Sequence, residues 1–316
     1  MYYKKTNSHW KYRKNRKVSG LRPQHLTAIK ILQKIVNAEV IGAEIGSTEL
    51  KFIPNNIKSL QLVEDVGTAG SISLILQVLI PVIAISQKKL DLKIKGGTDV
   101  LWSPSFDYTQ HVLREAFSRM GIEFSLELCK RGYYPKGRGE IELHVKPSKI
   151  KSILLTKRKT KTVKIICTFS KLLKEDIENE IKEIKEKLVE RNFIVNTEIK
   201  NQDAINSGAS LLIFSIDENS INGIDGLYDK KMKSFSIDLN KFYKNSLGVD
   251  ENLVDMLVPI ASLGPEKTIF HIKSISKHLE TNLFVTSKIT GCRYGIGKIN
   301  NGFEVIIEGV SYSSIK

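Results

Sequence analysis

The sequence predicts an α+β protein built from repeated α/β modules, with a smaller α/β domain inserted into a larger one. The same order of elements, a helical pattern followed by a strand, a turn and a second strand, recurs four times. One of the four helical patterns, at 172–191, is far more charged than the others. Recurrence of one α/β unit is typical of stacked modules whose sheets face a shared core.

The four copies differ mainly in helix length and charge. Each helix has apolar residues at helical spacing, and each strand is rich in β-branched or aromatic residues. The copies, each given as helix, first strand and second strand, are Leu26–Val36, Glu39–Ile41 and Glu49–Ile53; His111–Met120, Ile122–Cys129 and Glu140–Val145; Leu172–Arg191, Phe193–Ile199 and Ser210–Ile216; Leu283–Thr290, Cys292–Ile299 and Phe303–Glu308.

The charged helix predicts the inserted domain. Its apolar stripe of Leu173, Ile177, Ile181, Ile184 and Leu188 lies among alternating Lys and Glu, as in an exposed amphipathic helix that covers a small sheet. The charged stretch 157–164 and the polar stretch 241–250 are the expected crossing points. We therefore predict a large domain over 1–157 and 249–316, and an inserted small α/β domain over 158–248.

Hydrophobicity and cysteine content favour a cytoplasmic protein. The most apolar run, Ile72–Ile85, is too short and too interrupted by Pro81 to span a bilayer, so a buried helix is expected. The first 17 residues lack the apolar core of a secretory signal. Cys129, Cys167 and Cys292 show no metal-binding or disulfide spacing and are expected to be reduced, mostly buried thiols.

The composition favours a polyanionic partner. Among 316 residues, 49 basic and 34 acidic side chains give a formal charge of +15. Such an excess favours nucleic acid through neutralisation of phosphates. A general enrichment in lysine is the other explanation, and no segment indicates an obligate protein partner.

His278 is the candidate nucleophile. It lies between a strand-like run, Thr268–Ile272, and an apolar segment that resembles the start of a helix. A neutral imidazole presents a lone pair to an electrophilic phosphorus at pH 7. A polar residue at a helix N-terminus is the structural alternative.

Two segments in the N-terminal half of the chain predict contacts with phosphate. Gly67–Ser71 precedes the apolar helix, where small residues and free helix N–H groups favour an anion. Arg13, Arg16, Arg22, Gln24 and His25 form a basic and polar cluster before the first helix, and Pro23 places the last two in its first turn. A tight turn and a solvated basic segment are the alternatives.

Two further loops contain glycine. Arg131–Glu140 is either a simple hairpin or an RNA-facing loop in which Tyr133 or Tyr134 stacks on a base and Arg131, Lys136 and Arg138 meet phosphates. Gly96–Asp99 ends a strand. Its Asp99 is most simply a turn or capping residue, and we assign no metal ligand.

Five segments in order resemble the RNA 3′-terminal phosphate cyclase family. Together they extend from about residue 13 to 283, with a weakly matching stretch from about 158 to 248. The segments are Gly20–Leu26, Gly67–Ser71 followed by Gln77, Gly96–Asp99, Arg131–Gly137 and His278–Asn282.

The resemblance implies an enzyme that converts an RNA 3′-phosphate to a 2′,3′-cyclic phosphate with ATP and Mg²⁺ or Mn²⁺. His278 is then the residue that becomes adenylated. Cyclases of this family carry a smaller domain inserted into a larger one of three α/β units, in agreement with the predicted domains. By resemblance, ATP contacts Gln77, Asn252, Leu253, Val254, Asp255 and Met256, and the RNA phosphate contacts Arg13, Gln24 and His25.

The chain departs from the family in three places. Met256 stands where the family has glutamine, and a thioether cannot replace the hydrogen bonds of an amide. Arg138 stands where the family usually has glycine. No counterpart of the family's N-terminal strand and Glu-Gly-Gly-Gly-Gln loop precedes Arg13, and we expect the natural chain to begin upstream of Met1.

These departures keep a second hypothesis open, that of a catalytically inactive cyclase-like protein that binds RNA or takes part in ribosome processing. The presence of His278 favours the enzyme. An enolpyruvyl-transferase-like enzyme shares the repeated architecture but requires no nucleophilic histidine here. The physiological RNA, the nucleotide preference and the oligomeric state do not follow from the sequence.

Overall fold

The computed structural model describes residues 17–311, which form eight α-helices, one π-helical turn and fifteen strands. The helices are α1 (Pro23–Val36), α2 (Ile72–Ile85), α3 (Phe106–Tyr108), the π-turn Thr109–Leu113, α4 (Arg114–Arg119), α5 (Lys174–Val189), α6 (Leu239–Lys244), α7 (Glu251–Ala261) and α8 (Lys277–Thr290). The strands are β1 (Glu39–Ile41), β2 (Lys51–Ile53), β3 (Leu60–Asp65), β4 (Leu90–Gly96), β5 (Phe124–Lys130), β6 (Gly139–Val145), β7 (Leu154–Leu155), β8 (Thr162–Ser170), β9 (Ile194–Asn201), β10 (Gly208–Asp217), β11 (Ser220–Asp229), β12 (Ser234–Phe235), β13 (Lys267–Ile272), β14 (Arg293–Ile299) and β15 (Gly302–Glu308).

The chain divides into two compact units. The first comprises residues up to Ser103 together with 123–149 and 204–206, and the second comprises 104–122, 150–203 and 207 onward. These boundaries are not the ones predicted from the sequence, so the inserted domain at 158–248 stays a prediction.

Two four-stranded sheets have the same topology, which confirms the α+β class and the repeated modules. In each, two parallel strands are followed by an antiparallel hairpin whose last strand pairs with the second parallel strand. The strand orders are β3-β4-β6-β5 in the first unit and β7-β13-β15-β14 in the second. In chain order, α2 lies between β3 and β4, and α7 lies between β7 and β13. A shorter copy, α1 with the β1-β2 hairpin, precedes them.

Residues 162–244 lie in chain order between β7 and α7 and form a five-stranded sheet, β12-β11-β10-β8-β9. This third copy differs from the others because β8 lies between β9 and β10. Lys157 pairs with Leu247 in an antiparallel bridge, and the amide of Arg158 donates to the carbonyl of Ser246 at 2.9 Å. The chain thus enters and leaves this sheet at neighbouring points.

Helix α5 packs its apolar stripe against the five-stranded sheet. Ile177, Ile181, Ile184 and Leu188 are all buried in one core with alternate residues of β8 and β10. Leu173 was predicted to belong to this stripe, but its side chain is 72% exposed because it lies at the helix N-cap.

Helix α2 confirms the prediction for the most apolar run. The Ser71 hydroxyl caps it by accepting from the amide of Leu74, and most of its side chains are buried in the first unit. Among the described residues no helix has both the length and the apolar character to cross a bilayer. The three cysteines are free thiols and two of them, Cys167 and Cys292, are buried, in agreement with the prediction of mostly buried thiols, whereas Cys129 is exposed.

Candidate active site

His278 lies in the first turn of α8 with an exposed side chain. The helix begins at Lys277, earlier than the predicted Leu283, because the Ser276 hydroxyl caps it by accepting from the amide of Leu279 at 2.9 Å. The imidazole is therefore attached to a fixed backbone, at the end of the helix where the peptide dipoles favour anions.

Asp255 connects α7 to the start of α8. The Ser276 hydroxyl donates to both of its carboxylate oxygens, at 3.2 and 3.3 Å, and the Asn282 amide donates to its backbone carbonyl at 3.1 Å. Burial raises the pKa of the Asp255 carboxyl to about 6, against the opposing effects of the Ser276 hydroxyl and of His278. The contacts of Asp255 thus hold the turn that carries the histidine.

The predicted nucleotide segment is the first half of α7. Asn252 is exposed and Asp255 is half-buried, whereas Leu253, Val254 and Met256 are buried. A ligand outside the helix can reach the side chains of only the first two. Nucleotide contacts at all five positions stay a prediction.

Asp250, which the sequence analysis did not single out, caps α7. Its carboxylate accepts from the amides of Asn252, Leu253 and Gly223 and from the Tyr108 hydroxyl, at 2.9–3.1 Å. Burial raises the pKa of this carboxyl to about 6. An aspartate just before an apolar helix is a common capping residue, but no local pattern indicates its contacts with Tyr108 and Gly223, which belong to distant segments.

Asn252 also lines a pocket of about 270 Å³ in the second unit. Three acidic and three lysine side chains line it together with uncharged ones. The charges of the lining therefore balance and do not favour an anionic ligand. Lys241 is paired with Glu251 at 3.2 Å. The charged lining residues are Asp238, Lys241, Lys244, Asp250, Glu251 and Lys273.

In the first unit, Gln24 and His25 lie in the first turn of α1, as predicted. The side-chain oxygen of Gln24 accepts from the backbone amide of Ser71 at 3.1 Å, which brings two of the predicted phosphate-binding segments together. Nδ1 of His25 accepts from the backbone amide of Arg22 at 3.0 Å. Their contact with RNA phosphate stays a prediction.

Gln77 is half-buried on α2, two turns after Ser71. Its contact with nucleotide is untested and stays a prediction. Arg13, the third residue predicted to bind phosphate, lies outside the described residues.

Three of the glycine-containing segments pack together in the first unit. The amide of Gly97 donates to the carbonyl of Gly70 at 2.9 Å, and the amide of Thr98 donates to that of Gly132 at 3.0 Å. A Cβ on Gly137 would approach Cα of Ala69 to 2.8 Å. Only glycine allows the three backbones to approach so closely.

Arg131 and Asp99 form a buried ion pair at the centre of this cluster. Nη1 of Arg131 lies 3.0 and 2.9 Å from the two carboxylate oxygens, and both side chains are at most 2% exposed. The prediction that Arg131 meets phosphate is therefore wrong, because its guanidinium is buried against a carboxylate. Asp99 fixes this loop against the neighbouring turn.

The loop after β5 exposes three other candidate side chains. Tyr134, Lys136 and Arg138 are exposed, whereas Tyr133 is buried. This settles which tyrosine is available for stacking. The sequence of the loop could not show which of the two tyrosines is buried, because apolar and polar residues do not alternate regularly in it.

No cluster of three or more His, Cys, Asp or Glu side chains suitable for a metal ion occurs within residues 17–311. Magnesium keeps several waters and is usually bound by only one or two protein carboxylates. This result therefore does not test the predicted Mg²⁺, which stays a prediction.

Comparison with known proteins agrees with this set of segments. A family model described as RNA 3′-terminal phosphate cyclase matches residues 10–296. The RNA 3′-terminal phosphate cyclase of Methanosarcina barkeri is 33% identical over 298 residues, which cover 93% of this chain and 89% of that protein. The cyclase of Pyrococcus furiosus is 34% identical over 287 residues, 88% of this chain and 83% of that protein.

The α+β modules and the matched segments therefore define an RNA-acting enzyme of the ligase class. The chain belongs to the RNA 3′-terminal phosphate cyclase family. Among solved structures, an EPSP synthase from Acinetobacter baumannii matches at 11% identity over 92% of this chain and 58% of that one, with a TM-score of 0.25. That likeness is too weak to support an argument.

Proposed function

We propose that this protein uses ATP to convert an RNA 3′-terminal phosphate to a 2′,3′-cyclic phosphate through a covalent His278–AMP intermediate. The observation that carries the proposal is the exposed imidazole of His278 on the first turn of α8. Ser276 caps this turn and donates to Asp255. Family membership supplies the RNA substrate and the use of ATP.

The reaction has three displacements at phosphorus. An imidazole nitrogen of His278 attacks the α-phosphorus of ATP, an N–P bond forms, and pyrophosphate leaves. An oxygen of the RNA terminal phosphate then attacks the same phosphorus, which breaks the N–P bond and restores the imidazole. The 2′-hydroxyl finally attacks the terminal phosphorus, loses its proton and expels AMP. Covalent catalysis divides one difficult displacement into easier ones.

The N-terminus of α8 supports the first displacement. Its free backbone N–H groups and dipole favour negative charge next to His278, where the α-phosphate gains charge during attack. The exposed ammonium of Lys277 adds a positive charge on the same turn. Mg²⁺, which would enter with the nucleotide, supplies charge neutralisation of the leaving pyrophosphate.

Of the five positions on α7 that the family resemblance gives to ATP, only Asn252 and Asp255 have side chains that are not buried. We assign them hydrogen bonds to ATP, while the buried Leu253, Val254 and Met256 support the helix. Because Met256 is only 7% exposed, its replacement of the family's glutamine changes the packing of α7 more than its surface.

The remaining assignments follow the family. Gln77 contacts the nucleotide, and Arg13, Gln24 and His25 contact the RNA phosphate. The Gln24–Ser71 hydrogen bond supports this role, because it places a polar side chain at the N-terminus of α2. The predicted domain at 158–248 is supported by the separate core of α5 and its sheet, and a cytoplasmic location stays a prediction.

The test is transfer of label from α-labelled ATP to the protein in the presence of Mg²⁺. We expect an acid-labile, protein-bound label in the wild type and none in His278→Ala. His144→Ala is the matched control, since His144 is also an exposed histidine but lies on β6, and it should keep the label.

Labelled RNA completes the test. An oligonucleotide with a 3′-phosphate should become resistant to phosphatase only when ATP and an intact His278 are present. A folded wild-type protein that binds this RNA but acquires no label would overturn the proposal. That result would support instead a cyclase-like RNA-binding protein without adenylation.

A further inference from the structure

The loop Arg131–Arg138, here named the tyrosine loop, is anchored along its base in the first unit. The Arg131–Asp99 ion pair fixes one end, and the amide of Gly132 donates to the Thr98 hydroxyl at 3.0 Å. The amide of Gly137 donates to the carbonyl of Tyr133 at 2.9 Å and closes the loop. Side chains at its tip are therefore presented from a preorganised backbone.

Tyr134 is at this tip and is 76% exposed, whereas its neighbour Tyr133 is 3% exposed. An exposed aromatic ring gains nothing from the core. On an anchored loop it offers a flat surface on which a nucleobase can stack with little loss of side-chain freedom.

Arg138 has an unfavourable backbone conformation. Its φ is +57°, a left-handed value that suits glycine and strains a side chain with a Cβ. Gly137 and Gly139 flank it, so the loop already contains residues that adopt such angles freely. The angle by itself assigns no role, since Lys233 has a similar one. It means that glycine would fit this position without strain.

The guanidinium of Arg138 is exposed and lies next to the glycine turn before α2. Its Nη1 is 3.3 Å from Asp65, and the other oxygen of that carboxylate accepts from the amide of Gly67 at 2.7 Å. An exposed ion pair of this length is weak. The guanidinium, with five donors, can bind a phosphate oxygen while it keeps or exchanges this contact.

We propose that Tyr134 and Arg138 form a contact site for single-stranded RNA upstream of its 3′ end. One base stacks on the Tyr134 ring, and a backbone phosphate binds the Arg138 guanidinium, with the exposed Lys136 as a further cation. The inference rests on the proposed function, because it takes the substrate to be RNA. It assigns to this chain a phosphate contact at a position where the family usually has glycine.

Single-stranded RNA fits this surface better than an acidic protein surface. An acidic partner would use the two cations but has no particular need of the exposed ring. RNA uses both, since every base has a face that can stack and every nucleotide has a phosphate.

The test is equilibrium binding of a fluorescent, single-stranded RNA of ten nucleotides, measured by anisotropy over a range of salt concentrations. We expect Tyr134→Ala to weaken binding by about tenfold, and Tyr134→Phe to bind like the wild type, because only the ring is needed. Arg138→Gly should weaken binding and reduce the slope of log K against log salt by about 0.7, the value for loss of one contact to a single strand. Both effects should appear with a 3′-phosphate and with a 3′-hydroxyl end.

Lys233→Gly is the matched control for Arg138→Gly. Lys233 is also a cation at positive φ, +50°, and it pairs with Asp176 at 3.2 Å on an exposed surface. The Lys233→Gly variant should bind RNA like the wild type. Since glycine adopts positive φ freely, both glycine variants should melt no lower than the wild type, so weaker binding cannot be assigned to unfolding.

Two results would overturn the inference: unchanged RNA affinity in Tyr134→Ala and Arg138→Gly, or an equal loss in Lys233→Gly. Label transfer from ATP in the wild type is measured separately. If the wild type becomes labelled and the variants bind RNA with unchanged affinity, only the loop contact is rejected. If the wild type is not labelled but the variants lose RNA affinity, adenylation is rejected and the loop remains an RNA contact.

Discussion

The variant Asp250→Asn tests whether burial or hydrogen bonding has the larger effect on the pKa of the carboxyl that caps α7. The carboxylate accepts from the amides of Asn252, Leu253 and Gly223 and from the hydroxyl of Tyr108. Four donors favour the charged form, whereas burial disfavours it. The pKa of the carboxyl rises from 3.8 to about 6, with burial as the largest cause. Burial therefore outweighs the donors.

The sign of the pH dependence follows from this shift. Between about pH 4 and pH 6 the folded protein binds more protons at Asp250 than the unfolded chain does, so this group makes the protein less stable as pH rises. A shift of roughly two pKa units corresponds to about 3 kcal/mol. Asparagine does not titrate. The stability of the wild type relative to Asp250→Asn should therefore fall by about 2–2.5 kcal/mol between pH 4 and pH 7, the rest of the change lying below pH 4.

Urea unfolding of both proteins, followed by circular dichroism at several pH values, measures this difference. Asparagine is also a good N-cap, so α7 should be retained. Other titrating groups, including Asp255, are present in both proteins and cancel. A difference that stays constant, or that increases with pH, would show that the four donors control the ionisation and would refute the reasoning.

The remaining predictions concern two contacts described above. Arg131→Met should lower the free energy of unfolding by about 3–5 kcal/mol, because it removes the opposite charge from the buried Asp99 carboxylate; in urea unfolding, Asp99→Leu combined with it should cost less than the two single changes together. Asn282→Ala removes the donor to the Asp255 carbonyl. It should cost about 1 kcal/mol and slow label transfer from ATP, and an unchanged rate would mean that this contact does not position His278.

The sequence predicted the elements that local patterns specify. The apolar spacing of Ile177, Ile181 and Ile184 predicted α5, and the hydrophobic run after Ser71 predicted α2. The placement of His278 at a helix start also followed from local sequence. Its capping by Ser276 is a short-range interaction of the same kind.

The sequence could not indicate contacts between distant segments. A phosphate contact for Arg131 stayed open as one of two alternatives because its partner, Asp99, belongs to another loop. The contacts of Asp250 with Tyr108 and Gly223 were missed because these partners belong to distant segments, although its capping of α7 is a local interaction. The prediction of mostly buried cysteines did not say which one is exposed. It is Cys129, because alternate residues of β5 face outward.

The pairing of Lys157 with Leu247 has a consequence for the order of folding. Strands β7 and β13 are parallel neighbours, yet the whole five-stranded sheet separates them along the chain. Closing so long a loop is entropically unfavourable and slow. Once 162–244 has folded and its two ends are joined, the remaining connection is one residue on the β7 side and 248–266, which contain α7, on the β13 side. We therefore expect the sheet that supports His278 to assemble after the segment interrupting it, so that slow refolding of that segment would delay the appearance of activity.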